Sequence, residues 1–290
     1  VSQTTRYAES LGGHLPPLLV AAERVAATVA QGVHGRRRVG QGDSFWQFRP
    51  FVSGDSAARI DWRVSARASR TFVRETEWEA AQTVCLWRDG GASMRWKSAG
   101  AAVQKADRAS LILLALAALL LRGGERVRLI GSDIRAVSGR AGLDRIADAL
   151  HRLPQAEDGL PPGTKLPRHA RVVLIGDLLA PLDRLQAVIA GLVAIPVTGS
   201  VLQILDPAEA VLPYSGRVRF QGMSAGETTL IPRVENVRDE YTRRLASQQR
   251  GIAAICAAAG WGNAIHRTDH PPEAALLALY TSLAPEVGRR

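Results

Sequence analysis

The sequence predicts an α/β protein: a doubly wound, mainly parallel sheet with helices on both faces, an N-terminal helix and β extension, and an inserted β-hairpin. Two observations lead there. From Gln82 onward, short runs rich in Val, Ile and Leu alternate with longer helical segments. Those runs are apolar at successive positions rather than at every second one, so each strand is expected to be buried on both faces.

The elements follow in order. Leu15 to Gln31, rich in Ala, Val and Leu, reads as an amphipathic helix entered through Pro16-Pro17 and closed at Gly32. After a Gly- and Arg-rich turn, Phe45 to Phe51 packs aromatics into an extended piece stopped by Ser53-Gly54-Asp55. Thr83 to Trp87 is a strand ending in Arg88-Asp89-Gly90-Gly91, and Lys105 to Leu121 a strongly apolar helix closed by Gly123-Gly124. Arg126 to Ile130 is a second strand and Ile134 to Val137 a third, followed by a helix over Leu143 to Leu153. Beyond a Pro- and Gly-rich loop, Arg171 to Ile175 is a strand running into Gly176-Asp177. Leu182 to Val193 is a helix and Val197 to Leu205 a strand. Arg217 to Gln221 and Thr228 to Ile231 form a hairpin, Val234 to Ala259 a long helix, Ala264 to Arg267 a last strand, and Pro272 to Leu283 a closing helix.

Composition narrows the class. With 290 residues, 46% hydrophobic and 22% charged, the chain is globular rather than disordered. A net charge of +10 and a pI near 10.6 suit either an acidic partner or a solvated, Arg-rich surface; Arg36-Arg37-Arg38 is the tightest cluster. Cys85 and Cys256 lie far apart in apolar runs without ligand spacing, so they read as buried, reduced thiols rather than zinc ligands. No secretory signal is visible, and the run Leu111 to Leu121 falls short of the roughly 20 apolar residues of a spanning helix. No membrane span and a cytoplasmic location are therefore expected.

In a wound sheet ligands bind beyond the C-terminal ends of strands, so the residues just after each strand are the candidates. Asp89-Gly90-Gly91-Ala92-Ser93 sets a carboxylate near a hydroxyl after the first strand, and Asp177 follows a later one; hard oxygens of this kind suit Mg2+. Asp, Gly and Ser are also ordinary turn residues. The block Asp55 to Arg67 alternates charges with apolar residues around Trp62, the pattern of ion pairs anchoring a turn, with a recognition surface shared with Arg74, Glu75, Glu77 and Glu79 as the alternative. There is no GxxxxGK[ST], no GxGxxG after a strand, no HExxH and no GxSxG.

The stretch Gly54-Asp55, Ile60-Asp61-Trp62-Arg63-Val64-Ser65-Ala66-Arg67 and Val73-Arg74-Glu75-Thr76-Glu77 resembles the signature of the bacterial domain-of-unknown-function family fifty-eight, which precedes a von Willebrand factor type A-like domain. The resemblance continues through Asp89 to Met94, Leu174 to Asp177, Leu205 to Glu209 and Tyr241, so it covers the chain from about Gly42 onward. It implies a protein working beside a MoxR-type AAA+ ATPase on a client protein. It also implies a metal-ion-dependent adhesion site of pattern Asp-x-Ser-x-Ser completed by a Thr and a distant Asp. Carried over, Asp89 matches the first Asp, Ser93 the last Ser and Asp177 the distant Asp. Gly91 stands where a Ser is expected, and Ser138 is the nearest substitute for the Thr, so a Mg2+ site is expected to be degenerate. The signature residues Gly54, Asp55, Asp61, Trp62, Ser65, Arg67, Arg74, Glu75 and Glu77 are expected to be structural.

The expected organisation is an N-terminal extension over 1–78 packed on a von Willebrand type A-like domain over 79–290, with the hairpin at about 213–231. The segment 1–78 has too few apolar residues for a large core of its own. The expected function is a non-catalytic, protein-binding adaptor whose strand-end rim binds a partner's carboxylate through Mg2+. Two alternatives compete: a nucleic-acid-binding protein using Arg36-Arg37-Arg38 and Trp46, and a metal-assisted hydrolase using Asp89 and Asp177.

Overall fold

A computed structural model describes residues 15–33, 45–52, 60–68, 70–76, 82–153, 159–222 and 228–283. The chain divides into two compact units, one formed by Val1–Val33 with Gln82–Arg290 and the other by His34–Ala81. The division runs through the segment 1–78: its first helix belongs with the large unit, and the remainder forms the small one.

The large unit is built on a five-stranded parallel sheet. Its first helix, α1 (Leu15–Val33), buries Ala22, Val25, Ala26 and Val29, the i, i+3, i+4, i+7 spacing of one helix face. In chain order follow β3 (Thr83–Arg88), α3 (Lys105–Arg122), β4 (Arg126–Leu129), α4 (Ala141–Arg152), β5 (Arg171–Gly176) and α5 (Leu182–Val193). Then come β6 (Thr198–Leu205), α6 (Pro207–Val211), β7 (Val218–Gln221), β8 (Thr228–Ile231), α7 (Glu235–Ala258), β9 (Gly262–Arg267) and α8 (Pro272–Ser282). The sheet order is β4-β3-β5-β6-β9, with all neighbours parallel. Strand β7 pairs antiparallel with β8, and the Tyr214 ring stands edge-on to Phe220 of β7.

Alternation along the strands explains why the runs are apolar throughout. Val84, Leu86, Val127, Leu129, Val173, Ile175, Leu202 and Ile204 face the layer of α1, α3, α4 and α8. Cys85, Trp87, Val172, Leu174 and Val201 face the opposite layer, beneath α5 and α7. Helix α3 is the centre of the first layer: thirteen of its eighteen residues are buried, so it is wrapped on every side. That is the origin of the apolar run 111–121. No described helix is long and apolar enough to cross a membrane.

One predicted strand differs. Residues 134–137 form no strand; Val137 alone makes an antiparallel bridge to Val127 on the edge strand β4. Val137 turns inward while Arg135 beside it is exposed, and Gly139, at φ 69°, turns the chain into α4. A single buried side chain does not sustain a strand against solvent.

The small unit pairs β1 (Phe45–Pro50) antiparallel with β2 (Phe72–Thr76) around a single helical turn, α2 (Trp62–Ser65). Asp61 caps that turn: its Oδ1 accepts from the backbone N–H of Arg63 (3.1 Å) and of Val64 (3.0 Å). The Ser65 hydroxyl accepts the Phe72 N–H at 2.8 Å, tying the turn to β2.

Candidate functional site

The sheet places its switch point between β3 and β5. From β3 the chain crosses to β4 on one side, and β5, β6 and β9 are laid down on the other. The crevice beyond these two strand ends is where a wound sheet gathers its functional groups. Asp89 follows β3 and Asp177 follows β5, so register brings them together. The Asp89 N–H donates to the Ile175 carbonyl at 2.8 Å, extending the ladder by one residue. A side chain at Gly176 would place its Cβ 2.8 Å from that of Asp89, so only a glycine fits there.

Both carboxylates are buried, and each is used differently. Asp89 Oδ1 accepts the Gly91 N–H at 2.7 Å, closing the turn after β3. Its Oδ2 is buried against Gly159, and no donor reaches it among the described residues. Burial pushes the Asp89 carboxyl up to about 6; the Gly91 N–H opposes this and the Asp177 charge adds to it. Asp177 Oδ2 accepts from the Lys105 ammonium at 3.0 Å. Gln203 on β6 donates its Nε2 proton to the Asp177 carbonyl at 2.8 Å.

Lys105 is the first residue of α3 and is fully buried. Its Nζ also donates to Glu209 Oε1 at 2.5 Å, so one ammonium joins the ends of β5 and β6. Glu209 is held in turn by a capping box. Asp206 Oδ1 accepts the Ala208 N–H at 2.8 Å, and Glu209 Oε2 accepts the Asp206 N–H at 2.9 Å. Burial raises the Glu209 carboxyl, and Lys105 pulls against that shift. Asp206 Oδ2 accepts the Ser98 N–H at 2.9 Å, which draws the loop after β3 onto the same rim.

Neighbouring helices close the arrangement. One turn along α3, the Arg108 guanidinium donates to the carbonyls of His270 (2.6 Å) and Thr268 (2.9 Å) beyond β9. Beside it, burial depresses the His266 imidazole to about 4, with the Arg108 charge acting in the same direction. From α7, Tyr241 donates to the Glu209 carbonyl at 2.6 Å, and Gln248 donates to the carbonyls of Leu178 (3.0 Å) and Ala180 (2.9 Å).

The sequence-predicted ligands divide. Asp89 and Asp177 converge, and Ser93 sits half-buried in the 3-10 turn Ala92–Arg95 just beyond Asp89. Ser138 does not join them. It follows Val137, which pairs antiparallel with Val127, itself level with Val84 near the start of β3. Asp89 lies five residues beyond Val84 on the sequence, roughly 16 Å along the strand, and the chain at Ser138 runs the other way.

Nor do the residues present fit a divalent cation. Asp177 Oδ2 is taken by the Lys105 ammonium, and Gly91 offers no hydroxyl. At about 4 Å, each unit of charge on a second cation would meet a repulsion of about 4 kcal/mol from that ammonium. Among the described residues no three His, Cys, Asp or Glu side chains are grouped to hold a metal.

In the small unit, Asp61 caps the helical turn and Ser65 ties it to β2. Trp62 is different: 67% of it is exposed, and the adjacent Arg63 and Arg67 are exposed as well. Phe51 and Val52, leaving the same ladder, are also exposed. Gly54, Asp55 and Glu77 lie outside the described residues, as do the side chains of Arg74 and Glu75, whose backbones pair with Phe48 and Gln47. Arg36, Arg37 and Arg38 lie outside them too.

Lys105, Gln203 and the contact between Lys105 and Glu209 are absent from the sequence reading. One signal for Lys105 was there: a basic residue opening an apolar helix opposes the helix dipole and needs a reason.

A five-stranded parallel sheet flanked by helices, with acidic groups at its switch point, defines an α/β protein of the wound-sheet class. Within that class the chain belongs to the family described as protein of unknown function DUF58, which matches residues 47–251. It is similar to uncharacterized proteins of Mycobacterium bovis and Mycobacterium tuberculosis, each 26% identical over 278 residues, covering 88% of this chain and 86% of theirs. Among solved structures it resembles an aerotolerance-related membrane protein from Bacteroides fragilis, with 14% identity and a TM-score of 0.38. It also resembles the conserved hypothetical protein BatB from Bacteroides thetaiotaomicron, with 13% identity and a TM-score of 0.36. Each match covers 70% of this chain and 98% of the other.

Proposed function

We propose that the chain is a non-catalytic, protein-binding adaptor that works with a MoxR-type AAA+ ATPase on a client protein. The observation that carries this reading is Trp62. A capped, pinned turn holds a large aromatic side chain in solvent at 67% exposure, flanked by exposed Arg63 and Arg67. Trp and Arg are the residues most enriched at binding hot spots, and leaving an indole in water is costly unless a partner covers it. A net charge of +10 makes an acidic face on that partner the complementary one.

The strand-end rim supports the non-catalytic part of the reading. Asp177, Asp206 and Glu209 are each bonded to an ammonium or to backbone N–H groups. Acid–base or nucleophilic catalysis needs groups within reach of a substrate atom, and these are committed to the fold. Both cysteines are free and buried, and burial pushes their thiols up to about 11, which suits the reducing cytoplasm.

Association with the MoxR-type ATPase, measured by interferometry on the immobilised chain, tests the reading. Trp62→Ala is expected to weaken it at least tenfold, with Arg63→Glu adding to the loss. Equal affinity for wild type and Trp62→Ala would remove the signature turn from the interface.

A further inference from the structure

We propose that Lys105 is the resident cation of the strand-end site, and that its ammonium stands where an adhesion-type site would hold a divalent metal. Three features of the geometry point to it. The ammonium lies beyond the C-terminal ends of β5 and β6, one strand from Asp89, and is fully buried. It bonds carboxylates that follow two separate strands, Asp177 after β5 at 3.0 Å and Glu209 in α6 after β6 at 2.5 Å, as a metal would gather ligands from separate strand ends. The positions that would complete a metal shell are missing or elsewhere: Gly91 has no hydroxyl, Ser138 lies toward the other end of the sheet, and one Asp89 oxygen is taken by the Gly91 N–H.

A tethered cation differs from a bound one in a physical way. Its local concentration is fixed by the helix that carries it, so no metal supply and no chelator changes its occupancy. An ammonium also has no coordination position to offer a partner's carboxylate, only N–H donors, and two of these are directed at Asp177 and Glu209. Whatever this chain binds, it binds without a metal bridge at this rim. The inference stands apart from the adaptor reading, since it is tested on the free chain.

The test is a Mn2+ titration of the full chain, followed by electron paramagnetic resonance for bound metal and by thermal melting. Wild type is expected to bind no Mn2+ at this site and to melt within about 1 °C of the same temperature in Mg2+, Mn2+ or EDTA. Stoichiometric binding that disappears in Asp177→Asn would overturn the proposal; binding that survives in Asp177→Asn lies at another place and upholds it. Lys105→Ala removes the tethered cation and leaves Asp177 and Glu209 without their ammonium, close to the Asp89 carboxyl, so Mn2+ is expected to raise its melting temperature by several degrees. A folded Lys105→Ala that gains nothing from Mn2+ would also overturn it. If that variant does not fold, the wild-type titration decides alone.

Discussion

The strand-end rim of the large unit and the signature turn of the small unit both gather polar and charged residues, and they differ in burial. At the rim, Asp89, Lys105, Asp177 and Asp206 are 0%, 0%, 3% and 0% exposed, and apart from Asp89 Oδ2 the groups named bond one another or backbone N–H groups. In the signature turn, Asp61 and Ser65 fix the backbone while Trp62, Arg63 and Arg67 face water. A group that looks like a binding centre by residue type can be an internal fastening. A motif that looks like a fastening can hold its largest side chain outward. Residue chemistry names what a group can do, and burial decides whether a partner can reach it.

If the rim is a fastening, breaking it should cost stability more than anything in the signature turn. Lys105→Met leaves the buried Asp177 and the half-buried Glu209 without their cation, a loss expected at about 3 kcal/mol by urea denaturation. A loss under about 1 kcal/mol would mean the ammonium is not the fastening described.

The next effect in size depends on pH. The folded Asp89 carboxyl titrates near 6 instead of the ordinary 3.8, so the folded state holds that proton more tightly than the unfolded one. Stability from this group is present at low pH and is lost as pH rises from about 4 through 6. Asp89→Asn removes that dependence. Relative to wild type the variant should gain about 2 kcal/mol between pH 4.5 and pH 7. The difference between the two proteins isolates the term from His266, whose depressed pKa of about 4 acts oppositely, removing stability as pH falls below about 6.5. A constant difference across that range would place the Asp89 carboxylate in contact with solvent.

How far the sequence reached follows the same line. The wound sheet was legible because burial on both faces writes itself as a continuous apolar run, as in Val172 to Ile175 or Val84 to Trp87. Convergence of Asp89 and Asp177 was legible as well, because the residues after two parallel strands share one edge. The position of Ser138 was not, since it depended on a single-residue bridge that reverses the chain at the sheet edge. Lys105 was hidden by its setting: it opens a helix whose apolar pattern dominates, and its partners lie 72 and 104 residues away. The exposure of Trp62 was hidden for another reason. A turn of four residues has no periodicity from which to read an inward face.

The smallest effects lie in the signature turn, where two neighbouring residues should separate cleanly. Asp61 supplies the cap, and Asp61→Ala leaves the N–H groups of Arg63 and Val64 without their acceptor, a loss of about 1 kcal/mol. Trp62 covers little that the chain itself needs, so Trp62→Ala should change stability by no more than about 0.5 kcal/mol. Its effect on partner binding should be far larger, because the indole surface would be buried only in the complex. Paired urea denaturation and binding measurements on the two variants decide between the roles. If Trp62→Ala destabilises the chain as much as Asp61→Ala does, the indole is packed against the protein in solution and the turn is another fastening. If Trp62→Ala leaves stability alone and costs tenfold or more in affinity, the exposed aromatic is where the partner sits.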